Sequence, residues 1–491
     1  MEVPGAAYAS RVSSRARLAV VALCAILVAV AASAFAARGE PAAVATPDFR
    51  GDVAPIVRET CAGCHRDGGI APFAFRTERD LATRAALVVA AVESRRMPPW
   101  PPSAASPRYV GQAARTLDAR ERATLLRWAK SQLVQPGGAR RGTPVGSPRG
   151  TGIRVRPGES RLELAMQTSY RPVGRGGGTD DYRCFLLDPK VTADRFVTSA
   201  QIEPGASSLV HHVILYRIPA ESAAQAAALD RRTRGPGWTC FGGPGVGAGT
   251  GNPRGFLDDA GWIAAWAPGW GSDRLRAGTG IPLPAGSRIV MQVHYNLANG
   301  TRPDRSRAVL TTAPAGPGLT PLRTVLLPAP VELACRAGES GQLCDRTAAL
   351  FDQADRFGGD AALVPTGLLL LCGKNAAQPV ATPTTSCERP VSEPTTIHAV
   401  AGHMHLLGRS IRVELNPGTP RARLLLEIPR WSFHWQASYI LERPVRAEAG
   451  DVLRVTCRHD TSLRTGTPRY VLWGEGTADE MCLGVLQVTR G

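Results

Sequence analysis

Arg161-Leu162-Glu163-Leu164-Ala165-Met166 alternates polar and apolar side chains without a break, the period-2 signature of a half-buried strand. From this point to the end of the 491-residue chain the pattern repeats in short runs: Val210–Tyr216, Arg288–Tyr295, Ser410–Glu414, Arg423–Ile428 and Val452–Cys457. Turn residues separate the runs, helix signals are sparse and no regular repeat appears. The stretch from Leu319 to Pro394 holds four cysteines and little periodicity; it reads as a segment that joins or decorates two β-rich halves. With 52 Gly and 40 Pro, many turns are expected. The fold class expected is therefore multidomain: two antiparallel β-sandwich, jelly-roll-like domains over residues 160–325 and 326–491, preceded by a small α-helical domain.

Upstream of Ser160 the composition changes. Residues 135–159 are dominated by Gly, Pro and Arg and read as a linker. Before it, residues 47–134 read as a helical module, with a mostly apolar stretch Leu81–Val92 and a final helix Ala119–Leu133. Thr116 or Asp118 caps that helix, and Leu125, Leu126, Trp128 and Ala129 form its inner face. Further upstream, Arg11, Arg15 and Arg17 precede an apolar run Leu18–Ala37 that ends in Ala34-Phe35-Ala36. Residues 1–37 are thus a signal peptide or a membrane anchor, and the rest of the chain is placed in the periplasm or outside the cell.

The formal charge is +17. Only Lys130, Lys190 and Lys374 are lysine, and the arginines are spread along the chain without a dense run interleaved with aromatics. Nucleic acid is therefore not an expected partner; docking to anionic membrane or an acidic redox partner suits the arginines better. Of 11 cysteines, Cys24 lies in the apolar leader, and Cys61 and Cys64 belong to a motif described next. The even remainder, Cys184, Cys240, Cys335, Cys344, Cys372, Cys387, Cys457 and Cys482, reads as four disulfides of an exported chain.

Cys61-Ala62-Gly63-Cys64-His65 is the C-x-x-C-H signature of covalent haem c. Two thiols add to the two vinyl groups, and the histidine that follows ligates iron. His65 is the only histidine before residue 211, so the sixth ligand falls to Met97, in Arg96-Met97-Pro98-Pro99-Trp100. The helical module is accordingly expected to be a cytochrome c-like electron carrier.

The other eight histidines all follow the linker, and five fall into three tight motifs: His211-His212 opening a strand, His294 in Gln292-Val293-His294-Tyr295, and His403 and His405 in Gly402-His403-Met404-His405-Leu406-Leu407-Gly408. Residues two apart on a strand share a face, so His403 and His405 can grip one metal. Adjacent His211 and His212 diverge unless a bulge or strand end turns both inward; otherwise only one of them ligates. Met481, in Asp479-Glu480-Met481-Cys482, can add a thioether, which beside imidazoles favours copper. His398, His434 and His459 stay unassigned; His398 and His434 sit either behind the ligands or on the surface.

These four motifs, in this order over residues 160–491, resemble the copper type II, ascorbate-dependent monooxygenases, the peptidylglycine and dopamine β-monooxygenases. The resemblance implies two copper ions, one held by His211, His212 and His294 that relays electrons, the other held by His403, His405 and Met481 where dioxygen meets a substrate C–H bond, with one site from each domain across a cleft. It implies a small organic substrate, O2, and ascorbate or another reductant or redox donor protein. It also implies a Cys457–Cys482 disulfide that anchors the methionine, with Cys184–Cys240 as a plausible second pair. Pairing among Cys335, Cys344, Cys372 and Cys387 stays open. Two departures count against peptide or catecholamine substrates. Ala401 stands where the peptide enzymes carry a carboxylate-clamping arginine, and Leu483, Gly484 and Val485 follow the Met-Cys pair where polar and aromatic residues are usual; a less polar substrate is the expectation. The fused haem is expected to feed single electrons to the three-histidine copper at a high effective concentration set by the linker. The alternative is a non-enzymatic haem and copper electron-transfer or copper-binding protein.

Overall fold

A computed structural model describes residues 45–67, 71–134, 142–146, 153–174, 179–246, 253–267, 273–298 and 300–491. The leader expected over residues 1–37 lies outside them. The chain divides into two compact units, Met1–Asp48, of which residues 45–48 are described, and Phe49–Gly491, which holds every element below. Among the described residues no helix is long and apolar enough to cross a membrane.

The second unit is mostly β-sheet. Its first half contains β1 (Ser160–Ala165), β2 (Asp180–Leu187), β3 (Arg195–Glu203), β4 (Val210–Ile218), β5 (Trp262–Trp266), β6 (Thr279–Leu283), β7 (Arg288–Asn296) and β8 (Arg307–Pro314). One sheet runs β1-β8-β3-β6 and the other β2-β7-β4-β5, each extended by two-residue strands. The second half contains β9 (Arg323–Pro328), β10 (Thr384–Pro390), β11 (Thr395–His403), β12 (Gly408–Leu415), β13 (Arg423–Ile428), β14 (Ser438–Ala447), β15 (Val452–His459) and β16 (Leu483–Arg490). Its sheets run β9-β16-β11-β14 and β10-β15-β12-β13. Counted from one to eight, both halves order their strands 1-8-3-6 and 2-7-4-5, the double Greek key of a jelly roll. The expected β-rich halves are present, and the alternation at Arg161–Met166 appears as β1 paired with β8.

Each jelly roll encloses its own core. Leu164, Ile202 and Leu310 of one sheet meet Phe185, Leu215 and Met291 of the other; Val400, Leu327 and Leu486 meet Val413, Leu426 and Val455 in the second half. Period-2 alternation aims these residues inward.

Besides two helices in the first β-rich half, Ala223–Arg232 and Pro253–Asp258, helices cluster in two places. The N-terminal module contains α1 (Ala54–Thr60), α2 (Glu78–Ala82), α3 (Ala85–Glu93) and α4 (Ala119–Val134). Asp118 caps α4: its carboxylate accepts the Glu121 backbone N–H, and the Glu121 carboxylate accepts that of Asp118. Leu125, Trp128 and Ala129 are buried and Leu126 packs beside them, which is the expected inner face. The second cluster is a hairpin, α5 (Arg346–Phe357) and α6 (Gly359–Leu371). It occupies the stretch read as weakly periodic. Helix α6 is apolar around most of its circumference, so the 3.6-residue signal is washed out.

Two readings of the linker need correction. Residues 143–145 belong to the helical module: Glu78 N–H donates to Thr143 O, Thr77 bridges to Pro144, and Val145 is buried in the module's core. Nor is the module merely tethered. Trp100 and Tyr109 pack against Tyr439 of β14, with centroids 5.5 and 5.1 Å away. The buried Tyr109 hydroxyl donates to Leu425 O at 2.7 Å, Ser103 donates to the Glu427 carboxylate at 2.6 Å, and Val110 N–H donates to Ile440 O at 2.8 Å. The contacted surface is the C-terminal jelly roll.

All eight cysteines after the linker are paired: Cys184–Cys240, Cys335–Cys344, Cys372–Cys387 and Cys457–Cys482. Four disulfides suit an exported protein.

Tyr109→Ala removes a wholly buried aromatic ring and its hydrogen bond. It should lower the unfolding free energy by about 3–5 kcal/mol. Chemical denaturation followed by tryptophan fluorescence measures this, and a loss below about 1 kcal/mol would mean the docked surface is not a packed interface.

Candidate metal centre

Strand β4 would aim His211 and His212 to opposite faces, but its register with β7 slips between Val210 and His212, which pair with Tyr295 and His294 respectively. Of the alternatives the adjacent pair left open, this is a bulge. His211, His212 and His294 therefore converge: their Nδ1 atoms lie 3.3 Å (211 to 212), 3.2 Å (211 to 294) and 3.4 Å (212 to 294) apart. Three imidazole nitrogens at mutual separations of about 3.3 Å match the edges of a tetrahedron with metal–nitrogen bonds of about 2.0–2.1 Å. The donor set thus fits a small transition-metal ion.

Tautomer and charge agree. His294 Nε2 faces Asp180 Oδ1 at 2.8 Å, so its proton resides there and Nδ1 presents a lone pair. Burial raises the Asp180 carboxyl, but the hydrogen bond and charge of His294 and two hydrogen bonds from Thr477 outweigh it and hold the group below the usual carboxylate range. Burial, then the neighbouring imidazoles, pushes His211 and His212 well below the ordinary histidine range. They stay neutral, as metal ligation requires. Tyr182 stacks on His294 with centroids 4.0 Å apart while its hydroxyl donates to Glu475 O, and Phe433 stacks on His211 at 4.2 Å.

The second group forms where β11 ends. His403 is the last residue of that strand and His405 lies beyond it, so the pair does not share one regular strand as the spacing suggested. Alternation nevertheless persists: Met404 is fully buried in the core, while His403 and His405 both line one cavity, with ring centroids 5.2 Å apart. Gly408 is required here, because a Cβ would lie 2.6 Å from the Trp431 ring, whose Nε1–H donates to His405 O. His403 Nδ1 meets Gln436 Oε1 at 2.6 Å and His405 Nδ1 meets Asp479 O at 3.0 Å. Both acceptors fix the proton on Nδ1 and leave each Nε2 free. Burial, then His405, lowers His403 to about 4. Met481 lines the same cavity.

The two groups are not parted by a wide cleft. His212 and His403 rings lie 6.2 Å apart, and the junction between the jelly rolls is knitted by hydrogen bonds, an ion pair and a ring contact. Thr477 donates from both backbone and side chain to Asp180. Arg356 of α5 pairs with Asp479 at 2.7 Å, and Phe357 stacks on Phe241 of the first half at 4.5 Å.

Several residues at this site escaped the sequence reading. Glu480, wholly buried, accepts the backbone N–H groups of His405, Leu407 and Met481 and lies 3.5 Å from His459 Nε2. It ties the histidine loop to the methionine loop, and His459 finds its place behind that carboxylate. Asp180, Gln436 and Tyr182 act similarly on single histidines. Their only sequence signal is position: Asp180 and Tyr182 pair with β7 across a strand register that no local pattern reveals. His398 instead bonds Thr489 Oγ1 at 2.9 Å, and His434 is exposed. In the helical module Cys61 and Cys64 are the free thiols, and His65 Nδ1 faces Phe73 O at 3.1 Å. Burial pushes the Cys61 thiol up to about 11. Met97 is partly buried.

Residues 373–487 match the family model described as copper type II ascorbate-dependent monooxygenase, C-terminal domain. The second jelly roll thus fits the copper-dependent monooxygenases. No curated protein matches the chain. Similar solved structures include the major capsid protein P2 of bacteriophage PM2 (10% identity, covering 67% of this chain and 97% of that one, TM-score 0.23). They also include the coconut allergen cocosin (8%, 68% and 85%, 0.12) and Bacillus subtilis oxalate decarboxylase (8%, 70% and 80%, 0.12). At such scores none bears on fold or activity.

Two carboxylates at the junction should respond to pH in opposite senses. Burial raises Glu480, but the His459 hydrogen bond and nearby charge prevail and the group sits below its usual value. Its contribution is present above the unfolded value of about 4.3 and is lost as pH falls through the folded value. Glu480→Gln should lower stability by about 3 kcal/mol at pH 7 and flatten the acid limb. Glu475, in the cavity wall, is raised by burial to about 7, so the fold loses stability as pH climbs from about 4.3 to 7. Glu475→Gln should gain about 1–2 kcal/mol at pH 8 and nothing at pH 4. Denaturant titrations from pH 3 to 9 measure both; parallel curves for wild type and either variant would contradict the assignment.

Proposed function

We propose that the chain is an exported two-copper monooxygenase that hydroxylates a C–H bond of an organic substrate, with a c-type haem in its helical module. The observation that carries the reading is the convergence of the His211, His212 and His294 Nδ1 atoms at ligand spacing, one imidazole away from His403 in a domain matching that family. The reaction balances as R–H + O2 + 2 e− + 2 H+ giving R–OH + H2O, with ascorbate or another one-electron donor supplying the electrons.

His211, His212 and His294 would hold one copper, and His403, His405 and Met481 the other; when bound, the pair supplies one-electron storage and oxygen activation. The chain's own residues prepare that chemistry. Asp180 and Gln436 orient imidazoles and fix their protons away from the centre. Glu480 holds His405 and Met481 in one rigid loop pair, a placement that a flexible thioether needs.

For the haem, the donor chemistry fits. Cys61 and Cys64 are unpaired while the other described cysteines are all in disulfides, and Phe73 O takes the Nδ1 proton of His65, leaving Nε2 for iron. Met97 would complete the ligand set. The periplasm or extracellular space is the compartment that suits both haem attachment and the disulfides.

Metal analysis of the protein matured in a haem c-competent periplasm tests the reading. Wild type should carry two coppers and one haem per chain. His212→Ala and His403→Ala should each lose one copper and leave haem absorbance intact, whereas Cys61→Ser with Cys64→Ser should lose haem and keep copper. Copper content indifferent to both histidine substitutions would overturn the copper assignment. Copper bound as expected but no oxygen consumed by the reduced protein with any organic compound would leave an electron-transfer or copper-binding protein.

A further inference from the structure

The two histidine groups open onto a cavity of about 1040 Å3, at the upper end of small-molecule sites and room for about 35 waters at liquid density. Its walls are unusual for such a volume. From the first half come Ile214, Trp262, Ala264, Ala265 and Trp266, and from the second Leu326, Ala401, Leu483 and Val485. The β9-β16-β11-β14 sheet supplies the latter on the face turned away from its own core, so it is largely apolar on both sides. Polar side chains are the minority of the lining, chiefly Gln436, Gln292 and Glu475, with Thr324, Ser438 and Gln487 on the sheet and Asp360 on α6. No lysine or arginine is among the described lining residues, so nothing there would hold an anionic head group.

Helix α6 forms the remaining wall. Leu363, Gly367, Leu370 and Leu371 recur at helical spacing on one stripe, and all four line the cavity while lying exposed to solvent; Leu363 is 68% exposed and Leu370 65%. A stripe that is both wall and surface is the lip of an opening. Large exposed leucines at a cavity mouth cost solubility and mark a binding function.

From these walls and this lip, we infer that the cavity binds a neutral, hydrocarbon-rich molecule of long-chain or polycyclic size, which passes over α6 and lays a C–H bond against His403, His405 and Met481. The chemical fate of that molecule rests on the copper reading above; its binding does not. Water against these walls gains little hydrogen bonding, and a hydrocarbon replaces it favourably. The apolar walls select against peptides, amino acids and catecholamines, whose polar groups would lose water without gaining partners. They also select against the carboxylate of a fatty acid.

Equilibrium binding to the full-length protein, both copper-loaded and stripped by chelator, tests the inference. The probes are 1-hexadecanol and cholesterol as neutral chain and polycycle, hexadecanoate as the charged chain, and N-acetyl-Phe-Gly and phenethylamine as polar compounds. Quenching of Trp262 and Trp266 fluorescence and native mass spectrometry are the readouts. One neutral hydrocarbon probe should bind saturably, one per chain, with or without copper. It should bind at least tenfold more tightly than hexadecanoate or either polar compound. Ala265→Trp, which fills the cavity from its wall, and Leu363→Asp with Leu370→Asp, which charges the lip, should each weaken that binding tenfold or more. Val380→Asp, an exposed apolar position outside the cavity lining, should not. Absence of binding by both neutral probes, tighter binding of a polar or charged probe, or indifference to Ala265→Trp in a variant with wild-type circular dichroism would each overturn the inference. The two readings fail separately. Hydrocarbon binding without copper uptake sinks the monooxygenase and keeps the cavity's ligand; turnover of a polar substrate without hydrocarbon binding does the reverse.

Discussion

A single half-buried carboxylate clasps the molecule together where it matters. Asp180 accepts the Nε2 proton of His294 and, from the other jelly roll, the backbone and side-chain donors of Thr477. Its charge sets the tautomer that turns His294 Nδ1 toward His211 and His212, while its remaining lone pairs hold the loop that leads to Asp479, Glu480 and Met481. A carboxylate largely withdrawn from water is stabilised by such partners. Histidine geometry in the first half and domain apposition are therefore parts of one hydrogen-bonded arrangement, and neither histidine group is set independently of the other half.

The same economy appears in the sheets. Both halves use one strand order, yet they build their histidine groups on different layers: the first on the 2-7-4-5 sheet, through β4 and β7, the second at the end of a strand of the 1-8-3-6 sheet, β11. Placing those two layers face to face buries both sides of each. The consequence is legible in β16, where Leu486 and Val488 belong to the core and Leu483 and Val485 to the cavity. A sheet buried on both faces loses its polar alternation, and here the outward apolar face becomes the wall of a binding site rather than a liability for aggregation.

Helices do the joining. Helix α5 reaches the first half through Phe357 against Phe241 and the second through Arg356 against Asp479, while α6 closes the cavity. The N-terminal module reaches the C-terminal jelly roll through Trp100 and Tyr109, an aromatic contact whose area and hydrogen bond give it the character of an interior rather than a tether.

How much of this could be read from the chain alone follows from the range of the forces involved. Period-2 runs made the β-rich halves visible, and the Asp118–Glu121 capping box made the last helix of the N-terminal module visible, because both patterns are written within a few consecutive residues. The His-His pair pointed to a bulge or strand end if both imidazoles were to share one metal, since adjacent side chains on a regular strand diverge. Helices α5 and α6 were missed because α6 is apolar nearly all round and offers no periodic stripe. Docking of the module through Tyr109 was missed because a lone tyrosine carries no mark of the carbonyl it will meet more than three hundred residues away. Sequence by itself thus determined the strand content, the histidine and cysteine motifs and the chemistry those side chains can offer. Only the tertiary structure decided which of them share a space, that Asp180 and Glu480 govern their orientation, and that two apolar sheet faces and α6 enclose a cavity beside them. Those outcomes depend on the register and apposition of distant strands, which are set by packing and buried hydrogen bonds summed over the whole fold.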